Sequence, residues 1–543
     1  MVFARRSTTL LAAIIASCAM VLSLTACTSD NKTVVDGQTT VTSNSAGGVA
    51  VFTPSDGITL NQQMPLNKWA KLVPDLTKAL VDAGFKKGDI DHTTSDSLAK
   101  QSRAIQDFVV DHLSNNTTDD SGIAIAPDNM TLLVAPVVEA DASTRQYGDY
   151  VSQNLSTNDA TDGEATSDGE SSEDDSSKDD SSNTESDSTA SDEQAQAVDR
   201  LVSSLKLAKE SGMHVVLLGN SIEGYKPDAF VKFSDAQTIG KLQAEKMVSK
   251  LKLDKASKDN PKYIEVLLPY TAVDEKGNAN DSTFAQEAFR GIWQVLGSYY
   301  QKGVVESPSG TLDGKSTEND WQAVAYDAAK EGSTAKVLDK RLAKTDGQST
   351  LIRIDGIITM NDYIASEVVK ELDDLGYTGS AADINPQITI SGIVGNITGK
   401  KDLSRDAVPD PIKSPENDNA NDSSSSDDDA DEDTSASDKD RDSQWPLVTG
   451  YGAYVSNIPS IVNGKQWMTG MEDRQTIATD IAQACAKLNK DEALNSMPSI
   501  RNSEVGGVKK IPTISEPLLA VSASNLKSAL IDPGYISLAD AGL

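Results

Sequence analysis

Beyond its first 26 residues this sequence holds no apolar run long enough to span a bilayer. It is also poor in the residues that build most catalytic and metal sites. There are three histidines, His92, His112 and His214, and three cysteines, Cys18, Cys27 and Cys485. None stands at the spacing of a zinc site, and a Ser-His-Asp triad would have to be built around one isolated histidine. A Gly-x-Ser-x-Gly elbow and a phosphate loop are both missing. No carboxylate pair stands out for glycoside cleavage, which needs two carboxyls flanking the scissile bond. These absences argue against an enzyme, and no cofactor is expected. Positive charge is scarce too: 49 Lys and Arg face 82 Asp and Glu, for a net charge of -33. A nucleic-acid partner would need a basic face and is not expected.

What is present begins with "MVFARRSTTLLAAIIASCAMVLSLTAC". Arg5 and Arg6 precede an apolar stretch and a small-residue cleavage pattern, the layout of an export signal. Leu24-Thr25-Ala26-Cys27 resembles the bacterial lipobox. That resemblance implies a signal peptide over residues 1–26 and a lipid on Cys27. The mature chain would then be held at the cell membrane, on its extracytoplasmic face, through a flexible tether over residues 27–47. Cys18 leaves with the signal, so Cys485 remains alone in the helical stretch "TIATDIAQACAKLNK". It can form no internal disulfide and is expected to be a small core residue.

Two tracts, residues 157–194 and 414–443, are acidic, serine-rich and almost free of apolar side chains. They cannot bury enough surface to offset ordering entropy and are expected to be solvated, disordered insertions. Elsewhere short buried runs such as "TLLVAP", "HVVLLGN" and "KYIEVLLPY" alternate with amphipathic helices. This predicts an α/β fold with parallel sheets covered on both faces, divided into two similar lobes. "GIITMNDYIASEVVKELDDLGY" shows the unit clearly. A strand from Gly356 leads into a helix whose apolar residues Ile364, Val368, Leu372 and Leu375 recur at helical spacing, with Asn361 and Asp362 between them. In open α/β sheets, ligands bind at that end of a strand.

Several stretches resemble the sugar-binding lipoproteins and periplasmic proteins of ABC importers, in the branch that binds xylose and other monosaccharides. They are "FSDAQTIG", "NDYIASEVVKELDDLGY", "WPLVTGYGAYVSNIPSIVNGKQWMTGMEDRQTIA" and "VKKIPTISEPLLAVSASNLKSALIDPGY". The resemblance implies a type I periplasmic binding protein-like fold: two Rossmann-like lobes joined by a three-segment hinge, closing on a sugar. It gives residues 48–232 and 453–505 to the N-terminal lobe, with an insertion at 157–194. Residues 233–452 and 506–543 go to the C-terminal lobe, with an insertion at 400–443. The implied partners are a sugar or sugar-like molecule, an ABC permease, and the membrane through the N-terminal lipid.

The resemblance also implies ligand-binding positions. Trp69 falls where an aromatic stacks on the sugar, or else packs as a helix residue. Asn361 falls on a ligand position; Asp362 beside it is a ligand or a helix cap. Asn280 is the candidate in the loop beginning at Asp274, and Asp235 is retained while the asparagine that often follows is Ala236. The departures gather in the same cleft. Asn220-Ser221 stands near an expected Asp-Arg pair, Gly452 replaces an aspartate, and Glu472 replaces a lysine. Tyr451 and Tyr454 add ring area. Losing a buried polar partner costs roughly 1–3 kcal/mol per group, so the usual simple pyranose is not the expected ligand. The alternative is a binding-fold lipoprotein that acts as a surface sensor or scaffold without transport.

Overall fold

The computed structural model describes residues 32–35, 38–41, 46–55, 65–115, 125–138, 145–156, 184–273, 280–343, 351–381 and 445–543. The signal segment, Cys27, residues 157–183 and the whole of 400–443 lie outside them. Within the expected flexible tether, Lys32–Val35 pairs antiparallel with Gln38–Val41. This hairpin belongs to a small unit ending at Asn44, and everything from Ser45 forms a second unit.

The second unit opens with β1 (Gly48–Pro54), whose apolar run is buried on both faces as a central parallel strand requires. Four further strands run parallel with it: β2 (Ile90–Ser95), β3 (Met130–Val134), β4 (His214–Leu218) and β5 (Ala229–Lys232). Their order across the sheet is β2-β1-β3-β4-β5. Helix α1 (Trp69–Asp82) buries Leu72, Leu76 and Leu80, a stripe at every fourth residue. α2 (Leu98–Asn115) and α3 (Thr184–Glu210) pack together over the other face, around Ile105, Val109, Leu201 and Leu205. α3 therefore begins inside the expected insertion, and residues 184–194 are helical rather than disordered. Glu193 and Gln194 are good helix formers.

The chain leaves this lobe after β5 and enters α4 (Ala236–Leu251). A second parallel sheet follows from β6 (Lys262–Val266), β7 (Val305–Glu306), β8 (Gly356–Ile358) and β9 (Leu447–Val448), in the order β7-β6-β8-β9. α5 (Thr283–Gln301) packs on α4, while α6 (Ser333–Arg341) and α7 (Asp362–Asp374) pack together over a separate cluster around Leu338, Ile364 and Leu372. Both sheets thus have the doubly wound order 2-1-3-4, in which the first and third strands define the switch point.

After β9 come β10 (Met468–Met471), α8 (Arg474–Leu488), β11 (Ile500–Val505), β12 (Val508–Ser515) and β13 (Leu519–Ser522). The return crossing was expected near residue 452 and lies at 472–473 instead. Tyr451 bridges Gly470, and the Gly452 N–H donates to the Gly470 carbonyl at 2.8 Å, so this turn stays with β10. α8 then packs on α1 in the first lobe. The last crossing was expected at 505/506 and falls after Ser515. The β11–β12 hairpin adds to the first sheet, with Thr513 of β12 opposite Phe230 of β5. β13 returns to pair antiparallel with β10. Cys485 is buried on α8 as a free thiol, the core role expected of it. Among the described residues no helix is long and apolar enough to cross a membrane.

Candidate functional site

β8 ends at the switch point of the second lobe and is followed by a strained corner. Met360 has φ of +69°, costly for a residue with a side chain, and is fully buried. Asn361 comes next and caps α7, its Oδ1 accepting from the Ile364 N–H at 2.9 Å. The cap leaves Nδ2 free to act elsewhere, and it donates to Gln146 Oε1 at 3.1 Å. Gln146 belongs to the segment that follows β3 of the other lobe.

A second strained corner follows β9, where Ala453 has φ of +49°. Beneath it lies Asp362, with no exposed surface. Its Oδ2 accepts from the Tyr454 N–H and the Thr469 hydroxyl, each at 2.9 Å, and Oδ1 accepts from Gln466 Nε2 at 2.7 Å. Burial pushes the carboxyl up to about 6, against the pull of those three donors. Gly450 makes the enclosure possible: a Cβ there would sit 2.1 Å from Asp362 Oδ1. Asp362 is an internal anchor that ties α7 to both corners.

At the hinge, Ser234 of the first crossing and Glu472 of the second meet Tyr451. Glu472 Oε1 accepts from the Ser234 hydroxyl and from the Tyr451 hydroxyl, the latter at 2.5 Å. Glu472 Oε2 is buried without a hydrogen-bond partner among the described residues. Burial raises the carboxyl's pKa, and it raises that of Tyr451 still more clearly, with the Glu472 charge adding to it.

Residues 145–150 bridge the two lobes. Asp149 accepts from Lys68 Nζ at 2.7 Å and from the Trp69 N–H at 3.1 Å, and the Tyr150 hydroxyl donates to the Lys68 carbonyl at 2.6 Å. Tyr150 stacks on Phe233 and meets Trp69 edge-on, inside the first lobe's core. Three residues earlier, Tyr147 is buried in the core of the second lobe, its ring 4.7 Å from Phe284 and 6.3 Å from Tyr451. The Tyr454 hydroxyl donates to the Gln146 carbonyl at 2.7 Å.

Of the eight positions singled out in the sequence, Asn361, Asp362, Tyr451 and Glu472 gather around the strand ends and hinge. Trp69 is buried in the first lobe's core, between Tyr150 and Phe233. Asn220 fastens two loops, accepting from the Gln153 N–H and donating to the Pro136 carbonyl. Asp235 caps α4 through Thr238 and pairs with Lys232. Asn280 braces its own loop, Nδ2 donating to the Thr271 carbonyl at 2.8 Å. Residues 274–279 of that loop lie outside the described residues. Gln146 and Tyr147 were not singled out in the sequence: they stand in a short polar segment after β3 that carries no motif of its own. Gln466 stood in plain view in the Gly-Lys-Gln run.

No family model and no curated protein matches the sequence. Similarity is found to solved structures at low identity. An ABC transporter solute-binding protein from Clostridium phytofermentans with bound β-D-glucose is 17% identical, with a TM-score of 0.44 over 91% of this chain and 99% of that one. A carbohydrate transporter solute-binding protein from Chloroflexus aurantiacus in complex with D-glucose is 19% identical, with a TM-score of 0.42 over 92% and 98%. A periplasmic ribose ABC transporter from Conexibacter woesei is 13% identical, with a TM-score of 0.41 over 90% and 96%. Among the described residues the chain forms two doubly wound α/β lobes with mostly parallel sheets, three crossings between them and a hairpin added to the first sheet.

Proposed function

We propose that this chain is an extracytoplasmic solute-binding lipoprotein of an ABC importer, anchored through Cys27, which captures a carbohydrate between its lobes. The observation that carries the reading is the pair of donors at the second lobe's strand ends. Asn361 Nδ2 and the Tyr454 hydroxyl, placed by strained corners, both point across the lobe boundary at acceptors on Gln146. Hydroxyl oxygens of a sugar are acceptors of the same kind, and the rings of Tyr147 and Tyr451 beside them offer apolar faces. With Gly452 where an aspartate was expected and the Glu472 carboxylate already engaged at the hinge, the solute is not the usual simple pyranose. Lobe closure would then present both lobes to a permease.

A ligand-panel melt of the chain from Thr28, covering pentoses, hexoses, amino sugars and oligosaccharides, tests this reading. A solute at a hundred times its Kd stabilises by about 2.7 kcal/mol. Asn361→Asp keeps the cap acceptor and removes the amide donor, and it is expected to abolish the shift for the solute that produces one. The sensor or scaffold reading is favoured by one feature: both donors, Asn361 Nδ2 and the Tyr454 hydroxyl, are already satisfied within the chain. A cooperative melt with no shift for any sugar class supports that reading instead.

A further inference from the structure

We infer that Gln146 and Tyr147 are a built-in occupant of the interlobe site, a latch that holds the two lobes together without a solute. Tyr147 and Tyr150 are three residues apart yet belong to opposite cores, one to each lobe. The second is fixed in place: Asp149 and Tyr150 are tied to residues 67–69 by four hydrogen bonds, from the Asp149 N–H, Lys68 Nζ, the Trp69 N–H and the Tyr150 hydroxyl. The first reaches across, filling space beside Phe284 and Tyr451 with no surface left exposed. Gln146 supplies both acceptors that the site's donors require, its side-chain oxygen for Asn361 and its carbonyl for Tyr454. An amide and an aromatic ring side by side reproduce the two things a sugar offers a protein, hydrogen-bonding oxygens and an apolar face. The Leu66 N–H adds one more bond across the boundary, to the Gly452 carbonyl at 2.8 Å.

The inference deepens the binding reading, for a solute that enters here must displace the latch. Its apparent affinity is then the intrinsic one multiplied by the fraction of molecules with the latch released. The closed state itself needs no solute, so it is measurable whether or not a sugar is ever found. A fluorophore pair on Asp107→Cys of α2 and Lys340→Cys of α6, both at exposed positions, reports the distance between the lobes in the chain from Thr28. The native thiol of Cys485 is buried and does not compete for label.

Without solute, the otherwise unaltered protein is expected to show one narrow, short-distance population. Tyr147→Ala and the milder Gln146→Ala and Tyr454→Phe are each expected to broaden and lengthen it, in that order of size. A broad or long distribution in the protein with the latch intact overturns the inference. So does an unchanged short population in Tyr147→Ala and Gln146→Ala variants that still melt cooperatively. Failure of the sugar panel alone leaves these distances as they are and bears only on the binding reading.

Discussion

At Asp362 the carboxylate is fully buried and three donors converge on it, yet the cost of removing it from water outweighs them. Its folded pKa of about 6 lies above the usual 3.8, so between those values the folded protein holds a proton that the unfolded chain has lost. The stability this gives is complete below about pH 4 and is lost as pH rises through 6. A shift of about two units corresponds to about 3 kcal/mol. Denaturant melts from pH 4 to 7 are expected to show that decline in the natural protein and a flatter profile in Asp362→Asn. Equal slopes in both would show that the site ionises without penalty. Glu472 pulls in the same direction, since burial raises it too, which makes the difference between the two profiles the informative quantity.

Among the elements, β6 carries a carboxylate in a fully buried place. Glu265 is flanked by Ile264 and Val266 and has no accessible surface, and Arg341 at the end of α6 reaches it. Arg341 also donates to the carbonyls of Val266 and Val324, while Glu265 accepts from Ser307 and from the Ser309 N–H. One ion pair thus fastens α6, β6 and the loop after β7. Removing one partner of such a pair costs about 3–5 kcal/mol, because the other is left charged and buried. Arg341→Met is expected to lower stability by that amount in urea melts while leaving the distance between the lobes unchanged. A loss below about 1 kcal/mol would mean that water reaches Glu265 and repairs the site.

Over the whole molecule, each lobe is assembled from distant pieces of chain, and the hinge carries the Ser234–Tyr451–Glu472 cluster. Among the described residues, coupling between the lobes runs through the hinge and, as a second route, through the contacts around Gln146 and Tyr147 with the Leu66–Gly452 bond beside them. With the second route intact, calorimetry is expected to show a single transition. In Tyr147→Ala the second lobe's core loses the ring that reaches it from the bridging segment, and the transition is expected to split or broaden as the lobes melt separately. One sharp transition at lower temperature would show that the hinge alone couples them.

The doubly wound lobes were legible in the sequence because buried parallel strands leave continuous apolar runs, and amphipathic helices leave a period of their own. β3, β4, β6 and α7 stand where those patterns put them. The crossings were not legible. Whether Gly450 to Ala453 turns back on β10 or enters the other lobe depends on a pairing with Gly470, and whether β12 joins β5 depends on register between segments far apart in sequence. Asn361 and Asp362 were visible as polar residues at a strand end, but local sequence could not separate their tasks. Only packing decides that Asp362 is enclosed while Asn361 keeps a donor for the other lobe. Tyr147 marks the limit most clearly, since nothing in "RQYGDY" distinguishes its two tyrosines. The sequence by itself determined the elements and their alternation, through short-range propensity and burial pattern. Tertiary structure decided which core each tyrosine enters, because that choice rests on contacts between residues far apart in the chain, Trp69 and Phe233 for Tyr150, Phe284 and Tyr451 for Tyr147.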